Sequence, residues 1–106
     1  MGTATFDIGK YGKNRGLGAG NVIGELVTSG EHTTTTTVSN LTDGAAGSGS
    51  AITAVKGDVL HIAGDETMRV AFAGAAATAT SGHVVTDTYR DIEIPESGAI
   101  SIIDVA

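Results

Sequence analysis

From Val59 to Ala106 the apolar residues fall at alternate positions in two successive pairs of segments, and no other feature limits the possible fold as strongly. Alternation sends neighbouring side chains to opposite sides of an extended backbone, so each segment owns one apolar face that must be covered. The first pair is Val59-Leu-His-Ile-Ala63 and Thr67-Met-Arg-Val-Ala-Phe72, joined at Gly64-Asp65-Glu66. It reads as a β-hairpin. A connection with an odd number of residues brings Leu60 and Ile62 to the same side as Met68, Val70 and Phe72; a two-residue loop sets them against Arg69 and Ala71, so the odd connection is expected. The second pair, Tyr89-Arg-Asp-Ile-Glu-Ile94 and Ala99-Ile-Ser-Ile-Ile-Asp-Val105, reads as another hairpin around Pro95, with Ile92, Ile94, Ile100 and Ile102 on one side. Adjacent Ile102 and Ile103 break the alternation, which calls for a bulge or for cover on both faces of the last strand.

Upstream, Asn21 to Val27 reads as a strand with an irregularity at Gly24. Glu31 to Val38 reads as a threonine-rich strand, since β-branched residues favour extended backbone. Its two faces are nearly identical, so a partner strand must fix its register. Asp43 to Ser50 has loop chemistry, and Ala51 to Val55 resumes extended structure. Ala73 to Thr88 reads as a loop, because its alanine run is too short and too rich in Thr for more than one turn of helix. No other segment carries a helical period. The expected fold is all-β, a β-sandwich or jelly-roll-like domain over residues 21–106.

Residues 1–20 differ in texture. Gly recurs there, and Lys10, Lys13 and Arg15 are half of the 6 basic residues of the chain. An extended N-terminal arm lying on an acidic partner surface is expected; an ordinary terminus is the plainer alternative, and Thr3 to Ile8 also suits a short edge strand.

Composition narrows the function. A domain of 106 residues buries roughly two thirds of the surface of its unfolded chain, and here few large side chains fill the interior: aromatics are 4% and Trp is absent. Sixteen Gly add to the entropy lost on folding. Such a chain is expected to complete its burial against copies of itself or a larger scaffold. The absence of Cys excludes disulfides and thiolate-bound metal. A net charge of −6 argues against nucleic acid, whose phosphates require clustered Lys and Arg. No run approaches the ~18 apolar residues of a membrane helix and no secretory apolar core appears, so a soluble, untargeted protein is expected.

Catalytic signatures are missing as well. His32, His61 and His83 lie at no metal-ligand spacing, Asp65-Glu66 reads as a solvated turn, and Asp87-Thr-Tyr-Arg-Asp91 reads as a polar loop without calcium-loop spacing. No Ser sits in Gly-x-Ser-x-Gly, and Gly16-Leu-Gly-Ala-Gly20 lacks the last Gly of the dinucleotide pattern. Phe6, Tyr11, Phe72 and Tyr89 are too few for a stacking platform on sugars or bases. Neither enzymatic activity nor a cofactor or metal is expected.

A strand, a short acidic turn, Met68-Arg-Val-Ala-Phe-Ala-Gly74, a segment ending Thr78-Ala-Thr-Ser-Gly82, Ile92-Glu-Ile-Pro95 and a terminal Gly98-Ala-Ile-Ser-Ile-Ile103 strand follow one another here. This pattern resembles the small β-structured virion proteins of tailed bacteriophages, head decoration or cement proteins among them. The resemblance implies a protein made in the host cytoplasm that binds the outside of an assembled capsid. Its partners there are the major capsid protein and its own copies, commonly as a trimer, and it reinforces contacts between capsomers. In that setting Lys10, Tyr11, Lys13, Asn14 and Arg15 would contact the capsid, the arm ordering on binding. The alternative is a head or tail fibre or knob domain that engages the host surface through the Asp43 to Ser50 or Ala73 to Thr88 loops.

Overall fold

Ala4, Phe6 and Ile8 share one side of an extended segment, and none is more than 1% exposed, so the first residues belong to the core. The computed structural model describes residues 2–11, 23–43 and 49–105. Its strands are β1 (Gly2–Tyr11), β2 (Ile23–Thr34), β3 (Ser39–Asn40), β4 (Val59–Gly64), β5 (Met68–Ala71), β6 (His83–Val85), β7 (Arg90–Glu93) and β8 (Ser101–Asp104). They form two four-stranded antiparallel sheets, ordered β2-β1-β4-β7 and β3-β8-β5-β6. The arrangement is sandwich-like: one core cluster draws Phe6, Ile8, Leu60, Ile62 and Ile92 from the first sheet and Met68, Val70, Val85 and Ile102 from the second. Among the described residues there is no helix.

The arm expected over residues 1–20 is replaced in its first half by β1, which lies between β2 and β4 and is not an edge. Lys13, Asn14 and Arg15 lie outside the described residues. The two segments read upstream as separate strands, Asn21 to Val27 and Glu31 to Val38, are one strand that runs to Thr34. Thr28-Ser29-Gly30 does not interrupt it, because β1 supplies partners throughout: Ile8 faces Thr28, Asp7 faces Ser29 and Phe6 faces Gly30. The register shifts twice along this pair, leaving Val27 and Gly24 as the extra residues on β2. The second falls where the sequence predicts an irregularity. Beyond Thr34 the threonine run leaves the sheet, and Thr35 Oγ1 accepts a hydrogen bond from Thr37 N–H at 3.1 Å.

Neither predicted hairpin forms. β4 pairs with β1 and β7, whereas β5 pairs with β8 and β6, so Asp65-Glu66-Thr67 carries the chain from one sheet to the other. The connection from β7 to β8 crosses in the same way. The predicted facing survives: Leu60, Ile62, Met68, Val70, Ile94, Ile100 and Ile102 are all fully buried. Alternation states which side of a strand meets the core, and strands on opposite walls of one core satisfy it as well as strands in one sheet.

One further segment differs from expectation, and another decides between two alternatives. The Ala73 to Thr88 loop contains β6, whose Val85 is buried against β5. β8 holds an unbroken register with β5, so the Ile102-Ile103 step is not a bulge. Its outer face is covered at Ser101 by the chain's own 75–77 segment, where Ser101 Oγ donates to Ala75 O at 2.7 Å and accepts from Ala77 N–H at 2.9 Å, while Ile103 stays half-buried.

Candidate functional site

β4 lies between β1 and β7, so the outward residues of three strands meet on one surface. The register places Asp7 opposite His61, and His61 opposite Asp91. His61 Nδ1 donates to Asp91 Oδ1 at 2.5 Å. Tyr89, immediately before β7, lays its ring on the His61 imidazole with centroids 4.3 Å apart and planes 3° from parallel. A ring so held loses rotational freedom before any ligand arrives, while the Tyr89 side keeps 48% exposure.

Beside Tyr89 opens a shallow cleft of about 310 Å³, lined by Thr3, Thr5, Ala63, Gly64, Asp65, Asp87 and Tyr89. Buried Ala63 and Gly64 make its floor, with half-buried Thr3 and exposed Thr5, Asp65, Asp87 and Tyr89 around them. Asp65 Oδ1 is oriented by the Thr3 N–H at 2.8 Å. A second depression of about 270 Å³ shares Asp65 and Asp87 and continues over Glu66, Thr67 and Thr86.

The residues expected to contact a partner are only partly placed. Lys10 stands in β1 with Nζ 4.0 Å from Asp58 Oδ1; its side chain is 58% exposed, so the pair contributes little and the charge faces solvent. Tyr11 closes β1, and the other three positions fall outside the described residues. Of the histidines, His83 meets Phe72 edge-on at 5.6 Å. His32 is buried, with Nδ1 hydrogen-bonded to Thr42 Oγ1 at 3.0 Å and Nε2 to Ser39 Oγ at 2.9 Å. Burial holds its pKa below the usual 6.5 because the cation would lose hydration. It ties β2 to β3 across the two sheets. Among the described residues no three His, Cys, Asp or Glu converge as a metal site, and no helix is long and apolar enough to cross a membrane.

The stacked His61–Tyr89 pair was not legible as a unit. Its members are far apart in sequence, and they meet only through the β4–β7 pairing, which the hairpin reading replaced with β4–β5. No protein family, no curated protein and no solved structure matches this chain.

Proposed function

We propose that the two sheets form a jelly roll and that the chain is a structural virion protein, a decoration or cement protein on the outside of a phage head. It works as a homo-oligomer, a trimer, bound to the major capsid protein and reinforcing the contacts between capsomers. The jelly-roll reading is supported by how the strands nest: β5 pairs with β6, β4 with β7 and β3 with β8, each pair in the sheet opposite the last. That is the winding of an antiparallel ribbon. The outermost rung pairs β2 with β1, which occupies the place a strand following β8 would take.

The observation that carries the functional reading is β2. It spans 12 residues at the edge of its sheet and pairs with β1 alone among the described strands, and Leu26 and Val27 are 58% and 51% exposed. The other sheet edges, β3, β6 and β7, have 2, 3 and 4 residues. A long edge with open N–H and C=O groups and apolar side chains invites pairing unless a neighbour covers it. On a shell, the capsid or another copy does so, and the buried interface is what stabilises the head. Imaging the particle that carries this chain tests the reading: density spread over the whole shell with β2 against a neighbour supports it, and absence from the shell refutes it.

The knob reading has one observation in its favour, the shallow polar cleft beside Tyr89, although of its lining only Asp87 lies in the two loops expected to bind. Copies confined to a single vertex in the same images select it over the cement.

A further inference from the structure

The geometry points to a saccharide-binding subsite in the cleft between Tyr89 and Asp65. It stands independently of where the protein is mounted. Three features of the cleft converge on this ligand class. The first is a single ring in place of the multi-ring platform that four aromatics cannot build, half exposed to solvent and held by its neighbours: His61 backs Tyr89 at 4.3 Å, and Asp91 holds His61 at 2.5 Å. A pyranose carries C–H bonds on one face, and such a face packs on an aromatic ring by dispersion and by the attraction of its hydrogens to the π-cloud.

The second feature is the distribution of acceptors. Asp65 and Asp87 offer carboxylate oxygens, and Thr3 and Thr5 offer hydroxyls that donate or accept, around a floor of Ala63 and Gly64 that rises no higher than a methyl group. A ring bordered by hydroxyl groups donates to the two carboxylates and can also accept from the Thr3 and Thr5 hydroxyls, while its body fits a floor kept low by small residues. The third is volume: about 310 Å³ is near the lower end for a small-molecule site and suits a short saccharide lying across the surface.

Competing ligands match less of the site. A nucleotide or other phosphate meets Asp65 and Asp87 with no Lys or Arg among the lining residues. A metal ion finds no converging set of three ligands among the described residues. An ammonium or guanidinium group pairs with the carboxylates and the ring but leaves Thr3, Thr5 and the breadth of the floor unused.

Amide chemical shifts of the full chain, followed by NMR during titration with neutral cello-, malto- and chito-oligosaccharides and, separately, with arginine amide, test the subsite. The expected result is saturable shifts with at least one saccharide, centred on Thr3, Thr5, Ala63, Gly64, Asp65, Asp87 and Tyr89. Tyr89→Ala weakens that binding by about tenfold, and Tyr89→Phe, which keeps the ring, leaves it within about twofold. Tyr89 is half exposed on an edge, so both variants are expected to retain the wild-type fold, read from the unperturbed amide spectrum. Absence of saturable shifts with every saccharide overturns the proposal. So does binding that Tyr89→Ala leaves unchanged, or saturation by arginine amide alone, which identifies a cationic ligand instead.

Discussion

The short connection between β4 and β5 and the long one between β5 and β6 invert the usual relation of loop length to pairing. Only Asp65-Glu66-Thr67 separates β4 from β5, yet those strands lie in different sheets; residues 72–82 separate β5 from β6, and those strands pair. The difference lies in where each connection finds its hydrogen bonds. The short one is clamped by strands of both sheets: Asp65 N–H donates to Thr3 O at 3.2 Å, and Val105 N–H donates to Thr67 O at 2.9 Å. Met68 turns inward directly behind it, in space left by Gly64, where a Cβ would lie 2.6 Å from its sulfur. The long connection folds back over its own sheet and is held there by Arg69, which donates from Nε to Ala79 O at 3.2 Å and from Nη1 to Gly82 O at 2.9 Å. Ser101 secures its middle. Loop length limits reach, and polar satisfaction decides destination.

The largest test of this contrast is the shared core. Leu60 and Ile102 stand on opposite walls at 0% exposure, so Leu60→Ala and Ile102→Ala are each expected to lower stability by about 2–5 kcal/mol in urea unfolding. A near-neutral result for either separates the sheets into independent units. Next is Gly82, which ends the long connection at φ 117° with its Cβ position 2.8 Å from Val70 O. Gly82→Ala combines left-handed strain with a clash against backbone and is expected to destabilise by about 2 kcal/mol. Gly64→Ala meets the flexible end of buried Met68, with backbone no nearer than Glu66 O at 3.1 Å, and should cost about 1 kcal/mol. Reversal of that order in the same unfolding assay shows the short connection to be the more constrained.

Arg69→Ala releases the long connection without touching the short one. Its bonds are solvent-exposed, so global stability falls by only about 1 kcal/mol, while limited proteolysis accelerates within residues 72–82. Unchanged cleavage there removes Arg69 as the clamp. The smallest effect concerns His32, between β2 and β3. With its folded pKa lowered by burial, the unfolded chain binds a proton that the native state resists as pH falls below 6.5. The stability this His contributes is therefore full above that value and is lost on acidification through the window down to its lowered native pKa. His32→Gln is expected to flatten the dependence of the urea midpoint between about pH 7 and about pH 5; a dependence identical to wild type assigns it to other groups.

The comparison also explains what the sequence discloses. All-β structure and the inward faces of β4, β5, β7 and β8 follow from alternation, because burial acts on every strand alike. Strand pairing does not follow, since Leu60 is buried equally well beside Met68 or across from it. β6 escaped notice because only Val85 of its three residues is buried, too short a signal for a period of two. Glycines and charges in residues 1–20 point to an arm, while Phe6 and Ile8 on one face suit a short edge strand; neither signal discloses that β1 is flanked on both sides. The candidate site inherits the same blindness. Tyr89, His61 and Asp91 become neighbours only through the β4–β7 register, and Asp65 enters the cleft only because the short connection crosses beside the start of β1. The extra residue at Gly24 and the partial cover on the outer face of β8 were legible because each breaks a local pattern.

Native mass spectrometry of the full chain over a dilution series tests the central claim, that this domain is built to be completed by neighbours along β2, which pairs with β1 alone among the described strands. The account predicts a multimer, a trimer, that persists on dilution; a monomer stable at every concentration contradicts it.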